Sequence, residues 1–220
     1  MKTTINRIVL FANGIFYEPE KLLPELKDDD YLIAVDGGLR YFTPFALVPD
    51  LIIGDLDSAD PEDVQRFKTQ GVEVRQYPIE KDETDLELAL LAAQALQPES
   101  IWIVAALGGR LDQTLASIYL LTSPKLENLD VRLVDGCQEV FIIKDSKTLE
   151  GKTGNRVSLL PLHSAVTGVT TRGLNYPLKG ETLYPHQSRG VSNHMTGKQA
   201  QVTVQQGLLL CIHEWSGKNV

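Results

Sequence analysis

Residues 49–58 read Pro-Asp-Leu-Ile-Ile-Gly-Asp-Leu-Asp-Ser, a strand and an acidic turn around which the rest of the chain is organised. The apolar run 51–53 predicts a buried strand, and Gly54 permits a sharp turn at its end. Asp55 and Asp57 follow and can face one small space. Two carboxylates about 4 Å apart repel by roughly 4 kcal/mol at an effective dielectric constant of about 20. Mg²⁺ relieves such repulsion and prefers oxygen ligands, so the stretch fits either a magnesium site or a solvated acidic turn.

The composition is ordinary for a globular protein, with 220 residues, 43% hydrophobic and 23% charged. A formal net charge of -8 argues against a nucleic-acid partner. No apolar run approaches the roughly 20 residues of a membrane span, and residues 1–7 lack the apolar segment of a signal peptide. Cys137 and Cys211 sit in or beside apolar strand-like runs, which indicates reduced thiols. We therefore expect a cytoplasmic protein that has neither a membrane nor a nucleic acid as partner.

Strand-type runs alternate with helical patterns over the first 145 residues. Besides 51–53, apolar runs of strand length lie at 7–12, 31–35, 72–77, 101–107, 131–134 and 140–143. Between two of them, Leu86, Ala89, Leu90 and Ala93 recur at the spacing of an amphipathic helix. The alternation predicts a mostly parallel sheet with helices on both faces. In such sheets, ligands bind at the carboxyl ends of the strands.

Polar residues follow these strands or begin the helices at several further places. Asp36-Gly37-Gly38 follows the run 31–35, and its glycines would let a phosphate or sugar approach the backbone, although a plain turn also fits. Gly108-Gly109-Arg110 precedes a helix, an arrangement typical of a polyphosphate cradle. Asp85 falls in the first turn of a helix capped by Asp82 or Thr84, where it could simply complement the helix dipole. Together these groups predict one polar rim with Asp55 and Asp57.

The pattern changes near residue 146. Beyond it helical periodicity is lost, and short β-type runs follow at 156–160, 165–170, 201–205 and 208–213. Their spacing and the turns between them predict a small antiparallel β-sandwich. We place the boundary between two domains near this residue.

Other phosphate-binding patterns fit less well. Gly151-Lys152-Thr153 resembles the end of a P-loop, but Ser146 stands where the first glycine is required. An apolar strand ending in Asp-x-Asp also resembles phosphatases of the haloacid dehalogenase type. That family has Thr or Val where this chain has Ala59. A sensor or scaffold that binds a nucleotide at the same rim without turnover is the alternative to an enzyme.

Taken together, the segments resemble those of the thiamine pyrophosphokinase (thiamine diphosphokinase) family. The matching stretches are Val-Asp-Gly-Gly at 35–38, the stretch 49–58, Lys-Asp-Glu-Thr-Asp at 81–85 and Gly-Gly-Arg-Leu-Asp-Gln at 108–113, with weaker matches at 173–178 and 189–193. Their order and spacing agree across nearly the whole chain, so the set is far more specific than any one of its members.

The resemblance implies a fold and a reaction. Residues 1–145 would form an α/β catalytic domain that binds ATP and Mg²⁺, and residues 146–220 a β-sandwich that binds thiamine. The implied reaction transfers the pyrophosphoryl group of ATP to the thiamine hydroxyl, giving thiamine diphosphate and AMP. The family also implies a homodimer with the thiamine site where the two subunits meet.

Residue roles follow position by position from the same resemblance. The implied Mg²⁺ ligands are Asp55, Asp57 and Asp85, with Lys81 and Arg110 offsetting charge on the reacting phosphates. The implied ATP-binding residues are Asp36, Gly37, Gly38, Thr84, Gly109, Arg110, Asp112 and Gln113.

For thiamine, the resemblance implies Ser192, Asn193 and Tyr176. Tyr176 stands where some relatives carry tryptophan, and Tyr176, Trp215 or another aromatic residue could stack on the cationic substrate. His194 stands where bacterial relatives often have glutamate. A carboxylate, Asp57 or Asp82, could orient the thiamine hydroxyl or accept its proton.

Overall fold

The computed structural model describes residues 5–214. The chain forms two compact units, the first ending at Asp135 and the second beginning at Gly136. By compactness, the strand Gln138–Ile143 thus belongs to the second unit. The boundary near residue 146, expected from turn composition, stays a prediction.

The first unit is built on a six-stranded parallel sheet. Its strands are β1 (Arg7–Phe11), β2 (Tyr31–Val35), β3 (Leu51–Gly54), β4 (Glu73–Gln76), β5 (Ser100–Val104) and β6 (Asp130–Val134). They lie in the order β4-β3-β2-β1-β5-β6, and every pairing is parallel. All residues of β1 and β3 are buried, as expected for strands covered on both faces. The parallel α/β sheet predicted from the alternating pattern is confirmed.

Helices connect these strands. They are α1 (Pro19–Leu22), α2 (Pro61–Thr69), α3 (Asp85–Ala95) and α4 (Leu111–Leu120), with 3-10 turns at Leu23–Glu25, Asp36–Tyr41 and Pro124–Leu126. The helix α2 begins after Asp60, whose side chain accepts the N–H of Glu62 at 2.8 Å. Thr84 caps α3 by accepting the N–H of Glu87 at 3.2 Å. Among residues 5–214, no helix has the length and apolar character that crossing a membrane needs.

The second unit is antiparallel. Its strands are β7 (Gln138–Ile143), β8 (Ser146–Glu150), β9 (Arg156–Arg172), β10 (Lys179–Leu183), β11 (Asn193–His194), β12 (Gln199–Thr203) and β13 (Gln206–Glu214). The first half of β9 pairs with β13 and β11, and β13 pairs with β7. The second half of β9 pairs with β10 and β12, and β12 pairs with β8.

Because β9 is 17 residues long, it runs through both layers of this unit. Phe141 and Leu209 from one layer and Leu149 and Val202 from the other belong to one buried cluster. The antiparallel sandwich predicted for the C-terminal part is thereby confirmed. Cys137 and Cys211 form no disulfide, and Cys211 is fully buried.

Candidate active site

A cleft of about 610 Å³ lies at the carboxyl edge of the parallel sheet. Its walls are the loops that follow β1, β2, β3, β4 and β5, together with the starts of α3 and α4. Of the residues singled out from the sequence, it is lined by Asp36, Asp55, Asp57, Lys81, Thr84, Asp85, Gly109, Arg110 and Gln113. Segments far apart in the chain therefore meet at one rim, because parallel strands all end on the same edge.

Three carboxylates in this cleft form a compact group. Asp36, Asp55 and Asp57 each offer one oxygen, and these oxygens lie within 4.8 Å of one another. Hard carboxylate oxygens at that separation suit Mg²⁺. The residues present therefore fit the metal that the sequence pattern suggested, with Asp36 as a third member of the group beside Asp55 and Asp57.

Asp85 lies next to this group in a different role. Its Oδ1 accepts the backbone N–H of Asp55 at 3.1 Å and lies 3.0 Å from Lys81 Nζ. Its place among the metal ligands stays a prediction, since its observed partners are a backbone amide and an ammonium.

The loop after β3 is held by the carboxylates that it carries or meets. Asp57 N–H donates to Asp55 Oδ1 at 3.2 Å, and Ser58 N–H donates to Asp36 Oδ1 at 3.2 Å. Ser58 Oγ donates to Asp57 Oδ1 at 2.9 Å. Leu56, between the two aspartates, has a φ of 66°, in the left-handed region that costs a residue with a side chain about 1–2 kcal/mol. This turn lets Asp55 and Asp57 join one cluster, and strain of this kind is concentrated at functional sites.

Lys81 bridges two of the acids. Its Nζ donates to Asp55 Oδ2 at 2.8 Å and to the carbonyl of Pro78 at 3.2 Å, besides its contact with Asp85. The hydrogen bond from Lys81 lowers the pKa of Asp55 below its usual value. Desolvation works against the charged lysine, but the hydrogen bonds to Asp55 and Asp85 outweigh it and raise the pKa of Lys81. Both groups are therefore charged at neutral pH.

Asp36 differs electrostatically from its neighbours. Burial raises its pKa above the usual value, against the lowering effect of hydrogen bonds from the Gly37 and Ser58 amides. The charges of Asp85 and Asp57 add to the increase. A bound divalent cation would offset this cost, because it stabilises the ionised carboxylate.

Of the two glycines that follow β5, Gly108 is covered by a neighbouring side chain and Gly109 is open. Gly108 and Gly109 both have positive φ, 76° and 75°. A side chain on Gly108 would overlap the ring of Tyr17, whereas at Gly109 the nearest atom, of Ile15, would be 3.9 Å away. The backbone at Gly109 is thus the part of this loop that a ligand can approach.

Arg110 stands at the N-cap position of α4 with its side chain 72% exposed. It pairs with Asp112, with Nη2 to Oδ2 at 2.6 Å and Nε to Oδ1 at 3.2 Å. That pairing lowers the pKa of Asp112. The guanidinium thus lies at a helix N-terminus, a place that favours anions.

Gly37, Gly38 and Asp112 do not line the cleft, although the family resemblance implies that they bind ATP. A side chain on Gly38 would overlap the backbone carbonyl oxygen of Phe11, and one on Gly37 would overlap the side-chain amide of Asn13. Both glycines are buried. They permit close packing against the end of β1, and contact with ATP stays a prediction for them.

The loop after β1 also lines the cleft and was missed by the sequence reasoning. Gly14 N–H donates to the carbonyl of Ala105 at 2.7 Å, and Arg40 Nη2 donates to the carbonyls of Asn13 and Gly14 at 3.1 and 2.6 Å. In the sequence, Asn13-Gly14 is a turn-forming pair that directly follows the apolar run 7–12. Its position after a strand of a parallel sheet was the available signal, because such positions face the ligand edge.

A second, smaller pocket of about 360 Å³ lies in the C-terminal unit. It is lined by Tyr176, Ser188, Arg189, Gly190, Val191 and Asn193. Two of the predicted thiamine residues, Tyr176 and Asn193, therefore lie together, whereas Ser192 does not line the pocket. Trp215, the other aromatic candidate, lies outside the described residues.

The side chain of buried Asn193 is engaged with the backbone. Its Oδ1 accepts the N–H groups of Tyr176 and His194 at 3.0 and 2.9 Å, and its Nδ2 donates to the Tyr176 carbonyl at 2.8 Å. Tyr176 itself is 64% exposed. Ser192 is also exposed, has a φ of 58°, and donates its N–H to Ser158 Oγ at 3.0 Å. Asn193 thus fixes the segment that presents Tyr176.

Comparison with known proteins finds a matching family model for each half of the chain. Residues 23–133 match the family model described as thiamin pyrophosphokinase, catalytic domain, and residues 142–209 match thiamin pyrophosphokinase, vitamin B1 binding domain. The chain is 28% identical over 200 residues to the thiamine pyrophosphokinase of Bacillus subtilis, covering 88% of this chain and 94% of the relative.

Solved structures show the same likeness. The crystal structure of the Bacillus subtilis thiamine pyrophosphokinase superposes with a TM-score of 0.86 at 26% identity, over 95% of this chain and 99% of that one. The thiamin pyrophosphokinase of Geobacillus thermodenitrificans gives a TM-score of 0.78 at 26% identity, over 99% of this chain and 100% of that one.

Proposed function

Because the chain belongs to the thiamine pyrophosphokinase family and is an enzyme of that family, we propose that it transfers the pyrophosphoryl group of ATP to the hydroxyl of thiamine. The products are thiamine diphosphate and AMP. The observation that carries the proposal is the acidic group Asp36, Asp55 and Asp57, in one cleft with Gly109 and Arg110. Metal-binding acids beside an anion-favouring helix N-terminus match the needs of a magnesium-bound polyphosphate.

The metal is proposed to be Mg²⁺, held by Asp55 and Asp57 together with Asp36 or Asp85. Bound there, Mg²⁺ would neutralise charge on the phosphates of ATP. The chain's part is to keep these carboxylates together before the metal arrives. The hydrogen bonds that Asp55 and Asp36 accept from the loop 55–58 do this.

The remaining side chains of the cleft bind and orient the donor. Arg110 at the start of α4 offsets negative charge on the pyrophosphoryl group and on departing AMP. Gly109 lets phosphate oxygens approach the backbone, and Gln113 and Thr84 line the same wall. Transfer to phosphorus depends chiefly on positioning and charge stabilisation, so the proposal requires no covalent intermediate on the enzyme.

The acceptor is the thiamine hydroxyl, which attacks the β-phosphorus of ATP while the bond to the α-phosphate oxygen breaks. Of the two carboxylates considered for orienting this hydroxyl, Asp57 lines the cleft and Asp82 does not. This favours Asp57 as the group that positions the hydroxyl or accepts its proton.

Thiamine binding is proposed for the C-terminal unit. The exposed ring of Tyr176 offers a face on which a cationic thiazolium can stack. Ser192 is adjacent in the chain, and Asn193 fixes the segment. By family resemblance, the working enzyme is a homodimer with thiamine bound at the subunit interface, and the location is cytoplasmic. Size-exclusion chromatography with light scattering tests the dimer, and a monomer at working concentration would contradict it.

One assay tests the reaction. The protein is mixed with MgATP and thiamine, and the products are separated by chromatography. AMP and thiamine diphosphate in equal amounts are expected, with loss of both in EDTA and in Asp55→Ala. Free phosphate released without thiamine would instead indicate a phosphatase, and ATP binding without turnover a nucleotide sensor or scaffold.

A further inference from the structure

Arg40 lines the cleft, and the proposed reaction assigns it no part. Within residues 5–214, the cationic side chains that line the cleft are Arg40, Lys81 and Arg110. Lys81 pairs with two carboxylates, and Arg110 pairs with Asp112. Arg40 has no carboxylate partner in the part of the chain that the structure describes. An anionic ligand can therefore use the charge of Arg40 without displacing an existing ion pair.

The guanidinium of Arg40 is held through one of its nitrogens. Nη2 donates to the carbonyls of Asn13 and Gly14 at 3.1 and 2.6 Å, and to the hydroxyl of Tyr41 at 2.8 Å. The guanidinium carbon lies 4.8 Å from the centre of the Tyr41 ring. Of the five N–H groups of a guanidinium, the two on Nη2 serve these acceptors, which leaves three on Nε and Nη1. The side chain is exposed, so it is fixed in place and still has donors for a ligand.

The loop that Arg40 contacts lies where the strand order of the parallel sheet reverses. From β1 the sheet continues through β2, β3 and β4 on one side and through β5 and β6 on the other. In open α/β sheets, ligands bind in the crevice at this reversal, outside the carboxyl ends of the strands. Ala12 and Gly14 close the base of the crevice by donating their N–H groups to the carbonyls of Val104 and Ala105 at 3.0 and 2.7 Å.

Arg40 also lies between the two parts of the proposed donor site. The acidic group follows β2 and β3, whereas Gly109 and Arg110 follow β5, on the other side of β1. A polyphosphate that extends from the acidic group to the start of α4 therefore crosses the end of β1. Uncovered peptide carbonyls there would repel phosphate oxygens. Arg40 hydrogen-bonds the carbonyls of Asn13 and Gly14 and adds charged N–H donors, which suit phosphate oxygens.

We propose that Arg40 is a binding residue for the phosphate chain of the nucleotide donor, with its Nε and Nη1 groups donating to phosphate oxygens at the crevice between β1 and β5. The proposal deepens the proposed function and rests on it for the identity of the donor. Its ligand class is a polyphosphate, and binding is measured without turnover.

The test uses two probes, ATP and inorganic tripolyphosphate, which has neither base nor sugar. Each is titrated into the full-length protein with Mg²⁺ and without thiamine, and isothermal titration calorimetry gives the dissociation constants. Arg40→Met removes the charge and should raise both constants by about tenfold or more, because hydrogen bonds to charged groups are strong. Arg40→Lys keeps the charge without the planar donor array and should lie between wild type and Arg40→Met.

Arg40→Gln separates this role from that of a clamp on the loop after β1. Its neutral amide can still donate to the carbonyls of Asn13 and Gly14, so a clamp alone predicts wild-type binding. We expect it to weaken both probes as Arg40→Met does. Arg66→Met is the matched control, because Arg66 is an exposed arginine outside the cleft that also lies over the ring of the next residue, 4.5 Å from the centre of Phe67. It should leave both constants unchanged.

The outcomes are decisive for Arg40. Wild-type affinity for both probes in Arg40→Gln would overturn the proposal, as would failure of the wild type to bind tripolyphosphate. Weaker ATP binding with unchanged tripolyphosphate binding would also overturn it, because Arg40 would then act at the base or sugar. If Arg40→Met does not fold, Arg40→Gln is measured under the same criterion. A wild type that binds both probes and forms no thiamine diphosphate would count against the proposed function alone.

Discussion

The backbone N–H of Ser58 donates to Asp36 Oδ1 across 3.2 Å, joining the loop after β3 to the end of β2. Through this bond a buried carboxylate orders the loop that carries Asp55 and Asp57. The same carboxylate has a raised pKa because it is desolvated. Asp36 is therefore a hydrogen-bond acceptor for the loop after β3, and its buried negative charge lowers the stability of the fold.

Asp36→Asn should separate these two effects. The amide oxygen keeps the acceptor for Ser58 N–H but removes the charge. In metal-free protein at pH 7, Asp36→Asn should raise the free energy of unfolding, because burial disfavours the ionised wild-type group. The gain should shrink as pH falls through the raised pKa, and vanish below the ordinary value, where wild-type Asp36 is protonated in both states. Urea unfolding at pH 7 and pH 4 with EDTA measures it, and an equal gain at both pH values would contradict the assignment.

Asp36→Asn should also weaken metal binding, since an amide oxygen is neutral. A Mn²⁺ titration of this variant beside wild type provides the measurement. Unchanged affinity would remove Asp36 from the metal group.

The protein should be more stable with glycine than with alanine at position 56. Both substitutions remove the same apolar side chain, and only alanine keeps a Cβ in the left-handed conformation at φ 66°. Glycine has a greater chain entropy in the unfolded state, which offsets part of this difference. The free energy of unfolding, measured in urea, should therefore be higher for Leu56→Gly than for Leu56→Ala by roughly 0.5–1 kcal/mol. Leu56→Ala is the matched control, and equal stability of the two variants would show that this backbone is unstrained.

Gly38→Ala tests whether this glycine serves packing or ligand approach. A Cβ there would overlap the Phe11 carbonyl oxygen, a backbone atom that cannot rotate away. The free energy of unfolding should fall by about 3 kcal/mol or more. Gly197→Ala, where nothing lies within 4 Å of the added Cβ, should change it by less than about 0.5 kcal/mol. Near wild-type stability with lost ATP binding would instead support a direct role at the ligand.

Substitutions at Asn193 and Ser192 should have different effects on stability, although the two residues are neighbours in the chain. Asn193→Ala removes three hydrogen bonds and leaves the Tyr176 and His194 amides without their acceptor, so a loss of about 1–3 kcal/mol is expected, together with a higher KM for thiamine. Ser192→Ala keeps the backbone bond to Ser158 and should leave stability within about 0.5 kcal/mol. It should raise the KM for thiamine more than that for ATP, and equal effects on both would contradict the division of roles.

Local patterns were sufficient for the strands of the parallel sheet and for α3, whereas β8, β10 and β11 correspond to no predicted run. Apolar runs such as 51–53 and the spacing of Leu86, Ala89 and Leu90 depend only on near neighbours in the chain, so strands and helices could be predicted. The polar groups after the strands could be assigned to one rim because parallel strands share a carboxyl edge. The same local chemistry narrows the cap of α3 to Asp82 or Thr84, and the structure shows that it is Thr84.

The sequence by itself thus determined the alternating α/β half, the antiparallel half and the two aspartates that mark the site. Tertiary structure alone decided that Asp36 joins them, that Lys81 lies between Asp55 and Asp85, and that Gly38 packs on Phe11. Most of these contacts join residues far apart in the chain, and the Asp36–Ser58, Asp55–Lys81 and Asp55–Asp85 hydrogen bonds span 22, 26 and 30 positions. They depend on strand register and on the turn at Leu56, and neither can be read from the order of residues, because periodicity describes which face is buried and not which side chains meet.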